Sequence, residues 1–184
     1  MTDYLFEHLR SPSNNAADLK LDNGGPDGSA NTWGIFAGLF GLANNELLRV
    51  TAFKGLSPAT HAHCVSAETW APTARPISPV PCSRPGIYVF RRFHVREENV
   101  ERVVELSAEA WQTFETDTDY KAEPMGLFKP ESDDNGIVRM MLVTWYDGFA
   151  SWEQSRQPAP AAQQNFRQRH ALTLTTYAVA TRLL

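Results

Sequence analysis

The stretch Gly86-Ile-Tyr-Val-Phe-Arg-Arg-Phe-His-Val95 concentrates the side chains best suited to chemistry. Its aromatic and β-branched content predicts a strand, in which side chains alternate between two faces. Tyr88, Phe90, Arg92 and His94 then share one face, and Ile87, Val89, Arg91, Phe93 and Val95 the other. Two aromatic rings beside a guanidinium and an imidazole suit a cleft for a small aromatic or acidic molecule. Arg92 would pair a carboxylate and His94 would act as acid or base. The plainer alternative is that both emerge into solvent at the strand end. Trp111, Trp145 and Trp152 are expected to line the same cleft, although tryptophans so placed also serve as core. His170, ending the last helix on the face of Phe166, joins them. No metal is expected: His61 and His63 lie two apart with no nearby Asp or Cys to complete a ligand set. The segment Gly24-Gly-Pro-Asp-Gly28 reads as a turn rather than a phosphate loop, and Gly-x-Ser-x-Gly and His-Glu-x-x-His are absent.

The chain that must position these groups has 184 residues, 42% hydrophobic and 21% charged. That is ordinary for a soluble globular protein and enough to bury roughly two-thirds of the unfolded surface. A net charge of −4 without a basic stripe argues against nucleic acid or an anionic membrane as partner. No apolar run approaches the ~20 residues needed to span a bilayer. The amino terminus lacks the charged and apolar regions of a signal peptide. With only Cys64 and Cys82, the sequence is read as that of a cytoplasmic protein with reduced thiols.

A strand at 86–95 is followed by helical spacing over about 97–117, with Val100, Val103, Val104, Ser107, Trp111 and Phe114 on one face and Glu101, Glu105 and Glu109 opposite. A short strand over 125–129, a turn at Asp133-Asp-Asn-Gly136 and an apolar strand over 137–146 come next. Asp147 is placed to cap a helix through Trp152. A helix over about 161–171 and a Thr-rich strand over 172–184 complete a βαββαβ order, the ferredoxin-like unit. The first part keeps strands over 33–42 and 46–53 but has a polar loop over 11–31 in place of a first helix. Ser57-Pro-Ala59 predicts a helix running to about Trp70. Three faint matches suggest two related halves. Tyr4–Arg10 resembles Tyr88–His94, Gly38-Leu-Phe40 resembles Gly126-Leu-Phe128, and Val50–Gly55 resembles Val143–Gly148. The organisation expected is a degenerate half over 1–71, a proline-rich link over 72–85 and a full half over 86–184. Equivalence of Glu7 and Arg91 predicts an ion pair between them on the sheet–sheet side.

Gly86–Val95, Gly126-Leu-Phe128 and the junction Val143-Thr-Trp-Tyr-Asp-Gly-Phe-Ala-Ser-Trp-Glu153 resemble the dimeric α+β barrel superfamily, in particular NIPSNAP-type and antibiotic-biosynthesis-monooxygenase-like domains. The resemblance implies an α+β fold: tandem ferredoxin-like halves whose antiparallel sheets pack into a barrel, the first half degenerate. It also implies a small-molecule-binding protein or a cofactor-independent enzyme, monooxygenase- or isomerase-like, acting in a sheet–helix cleft. A non-enzymatic structural or interaction domain is the alternative, and a homo-oligomer is compatible with either. Heme-degrading members bind iron through a helical His, which Trp152 and His170 loosely match. Arg92 stands where those enzymes carry an uncharged amide, so no heme and no other cofactor is expected.

Overall fold

Every described strand finds two neighbours in one closed antiparallel barrel. The computed structural model describes residues 1–21, 30–117, 119–130 and 136–184. Its strands are β1 (Asp3–Arg10), β2 (Ala30–Phe40), β3 (Glu46–Phe53), β4 (Cys64–Arg75), β5 (Ile87–Arg96), β6 (Ala122–Pro130), β7 (Ile137–Tyr146) and β8 (Thr173–Leu183). Around the barrel they run β1-β3-β2-β8-β5-β7-β6-β4. Each half therefore contributes a sheet of order 4-1-3-2, and two seams, β2–β8 and β4–β6, close the ring. The fold is α+β, two ferredoxin-like halves forming one barrel. The expected turn at 24–28, and all but Gly136 of that at 133–136, lie outside the described residues; Gly136 has a φ of 72°.

The pairing registers of the two halves coincide. Tyr4 faces Ala52 and Phe6 faces Val50 in the first, as Tyr88 faces Trp145 and Phe90 faces Val143 in the second. One expected match is corrected. The partner of Gly126-Leu-Phe128 is Gly34-Ile-Phe36, because Gly34 faces Val50 as Gly126 faces Val143. Each glycine follows a register shift, and each lies under the ring of the phenylalanine two residues on, closer than a Cβ would allow.

Tyr4, Phe6, Phe36, Tyr88, Phe90 and Phe128 fill the interior, with ring centroids such as Phe36–Phe90 at 4.9 Å and Phe6–Phe128 at 5.2 Å. Burying rings of this size contributes roughly 1.5–3 kcal/mol apiece. Outside the second sheet pack α1 (Val100–Phe114), α2 (Phe149–Gln154) and α3 (Pro160–Ala171). The expected face of α1 is buried, apart from a half-buried Val104, with Leu106 and Ala110 added, and its glutamates are exposed. Gly148, not Asp147, precedes α2, and no side chain caps it.

The helix expected from Ser57 to about Trp70 does not form: residues 57–63 are loop and turn, and 64–70 begin the β4 strand. Its composition is weakly helical, but β1 and β6 both present unpaired backbone there, and pairing with them closes the barrel. The first half has no α-helix among the described residues. Its outer face is covered by a 3-10 turn at Ala16–Asp18, where Ala16 and Leu19 pack on Leu9 and Leu47. The expected Glu7–Arg91 pair does not form. Both side chains leave the interior, each on its own sheet's outer face, so the barrel separates them. Glu7 instead pairs Arg49 at 2.6 Å, beneath the backbone N–H of His61 at 2.8 Å.

Candidate functional site

Between the outer face of the second sheet and its helices lies a cleft of about 490 Å³. The floor is Leu142, Thr144 and Tyr146 of β7 with Arg91 and Phe93 of β5, and the walls are Trp111, Phe166 and Trp152. β5 reaches this cleft through its odd-numbered residues, because the even-numbered set points into the barrel. Arg91 and Arg169 are half-buried in the cleft; Arg156, Arg167 and His170 stand exposed at its rim. Among the described residues no carboxylate lines it. Among the described residues Arg91 and Arg167 make no ion pair. Arg169 donates to Ser107 Oγ at 3.3 Å and packs against the Phe166 ring at 5.0 Å. Burial, then the neighbouring Arg91, push the Arg169 guanidinium down to about 10. It remains charged at neutral pH, so the repulsion persists. Trp152 lies beneath Arg156 at 5.2 Å, and its buried indole N–H has no acceptor among the described residues.

The residues singled out in the sequence are divided among five places. Trp111, Trp152 and His170 meet in this cleft. Phe90 is interior core. Tyr88 and Trp145 face a larger hollow of about 950 Å³ at one barrel end, under the proline-rich link. There Arg84 lies flat on Trp145 at 4.0 Å and pairs Glu123 at 2.6 Å. Tyr88 donates to the Arg84 carbonyl at 2.9 Å, and burial pushes the nearby Cys82 thiol up to about 12. Arg92 faces a third hollow at the opposite end. His94 lines none of the three and shares a 2.8 Å hydrogen bond with Thr175. Arg92 and His94 thus belong to the interior face, not to the helix side. Sequence reasoning passed over Arg91 and Arg169. The signal was present in Arg91 as the next residue of the same strand, but the two faces are equally apolar elsewhere.

The cleft does not fit a heme. Axial ligation needs a donor in an apolar slot. The cleft's histidine is exposed at the rim, and its depth holds guanidiniums. Among the described residues no group of three or more His, Cys, Asp or Glu could hold a metal ion. No helix among them is long and apolar enough to cross a membrane.

No known family profile matches the sequence. No characterised protein sequence matches it either. Solved structures do. An anthrone oxidase-like protein superposes with a TM-score of 0.63 at 10% identity, over 100% of this chain and 90% of that one. An uncharacterised ferredoxin-fold protein related to antibiotic biosynthesis monooxygenases, from Listeria monocytogenes, gives 0.59 at 8% identity over 100% and 96%. The chain therefore shares the ferredoxin-like fold of these structures, with its barrel closed within one polypeptide.

Proposed function

We propose that the cleft beneath α1 and α3 binds a small aromatic anion, and that the protein is a small-molecule-binding protein or cofactor-independent enzyme of the monooxygenase or isomerase kind. One observation carries this reading: four guanidiniums and six aromatic side chains line one cavity, with no carboxylate among its described lining residues. A bound carboxylate or phenolate would relieve the repulsion between Arg91 and Arg169. The rings of Trp111, Phe166 and Trp152 suit a flat apolar body, and a carbonyl on it would accept from the Trp152 indole. Fixed cations aimed at a substrate oxygen lower the free energy of its phenolate or enolate. That stabilisation is the protein's part in both kinds of reaction. An anthrone oxidase-like neighbour and one related to antibiotic biosynthesis monooxygenases support the chemistry in general and no particular substrate.

Thermal melts with 2-naphthoate and its hydroxylated relatives test the reading. A ligand at a hundred times its dissociation constant stabilises by about 2.7 kcal/mol. In a domain of this size that raises Tm by roughly 5–10 °C. The shift should vanish in Arg91→Met and with 2-naphthamide. Silence across a broad set of aromatic acids would sink the reading and leave the barrel as an interaction scaffold.

A further inference from the structure

The third hollow, about 340 Å³, opens at the barrel end where β1 and β5 finish, and it shares no residue with the cleft. Both strands run the same way along the barrel, so equivalent residues of the two halves face one another across its axis. Phe6, Leu48 and Met141 form an apolar floor. Above them the halves differ. The first supplies His8, whose Nε2 lies 3.2 Å from the Glu46 carboxylate. The second supplies Arg92 and Arg139 at the positions equivalent to His8 and Glu46. Arg139 is taken by Glu68 of β4. Glu7 is taken by Arg49 and the His61 N–H. Arg92, half-buried, has no hydrogen bond or ion pair among the described residues and is left as the uncompensated charge of the mouth.

We propose that this mouth is a second binding site, for a compact monocarboxylate whose carboxylate pairs Arg92 and whose apolar body rests on Phe6, Leu48 and Met141. A half-buried cation above an apolar floor favours an anion with an attached hydrocarbon over a bare anion, since each buried CH₂ adds to the affinity. The volume lies at the lower end of the usual ligand range, so the body must be small. An unbranched chain should serve here, whereas the cleft favours flat rings.

Calorimetric titration of the full chain with hexanoate tests this. Hexanoate should bind, while hexanol and inorganic phosphate should not. Arg92→Met should weaken binding at least tenfold and Arg91→Met should leave it unchanged, which separates this site from the cleft. Should Arg92→Met fail to fold, Ser66→Trp, a change at an exposed rim residue, should block entry with the charge intact. Absence of hexanoate binding to the unaltered protein would overturn the proposal. So would binding that survives both variants, or binding lost equally in Arg91→Met.

Discussion

Glu7 and Arg91 hold the same place in their two sheets, each on the outer face of the first strand, with opposite surroundings. Across from Glu7 stands Arg49; across from Arg91 stands Leu142. In the first half the charge meets its partner at 2.6 Å and is sealed by a backbone N–H, so nothing remains for a ligand. In the second half the helices stand off the sheet and leave a cavity, and Arg91 faces another arginine there. One fold therefore gives two outcomes. A face covered by a short loop is neutralised from within. A face covered by long helices can keep unpaired charge at a cavity, and unpaired charge of one sign recognises its opposite.

Substitutions at equivalent positions put this contrast to the test. The largest effect should come from Glu7→Ala. It strands Arg49, whose side chain is only 11% exposed, and leaving one partner of such a pair costs ~3–5 kcal/mol. Chemical denaturation would measure it. A loss below ~1 kcal/mol would mean that the pair is more solvated than its burial implies. Next in size, Gly34→Ala and Gly126→Ala should each cost ~1–3 kcal/mol by forcing a phenylalanine ring aside. Their costs should be similar. A large inequality would show that the two interiors are not packed alike.

A smaller effect should come from acid. Burial works against the Glu46 carboxylate, but the Ala43 N–H, Arg10 and His8 outweigh it and hold its pKa below the ordinary glutamate value. The group is more acidic folded than unfolded. Its contribution is therefore present above the unfolded value of ~4.3 and is lost as the pH falls through the lower folded value. Unfolding free energies from about pH 6 to about pH 3 should fall less steeply in Glu46→Gln than in the unaltered protein. The smallest effect on stability should be that of Arg91→Met, within ~0.5 kcal/mol, since it removes a cation that repels Arg169 and pairs with nothing described. Marked destabilisation would show that Arg91 is held by an unseen partner, and the contrast with Glu7 would narrow.

The second half was legible because its signals are local. The apolar stripe of α1 and the apolar Met140–Val143 run of β7 each declare an element within a few turns or pairs. The β4 strand was hidden because its cause is distant. Residues 64–69 have alanine, serine and glutamate in a helix-compatible mixture, and only β1, some sixty residues earlier, makes them extend. The site was half legible for a similar reason. Alternation sorts Tyr88, Phe90, Arg92 and His94 from Arg91 and Phe93, but which set faces the helices depends on how the barrel closes. Both sets are rich in apolar residues, so periodicity could not choose. Arg169 escaped attention because a polar helix such as α3 gives no sign of which arginine turns inward.

Both seams of the barrel, β2 with β8 and β4 with β6, join strands of a single polypeptide. Closure is thus a first-order process: dilution does not separate the two sheets. The same covalent continuity frees the residues on the axis. In a ring built from two identical chains, whatever stands at the position of Arg92 must meet its own copy across the mouth, and two guanidiniums would face each other. Here His8 stands opposite instead, already engaged with Glu46. Fusion lets the mouth be polar in one direction only, a one-sidedness that strict twofold symmetry forbids.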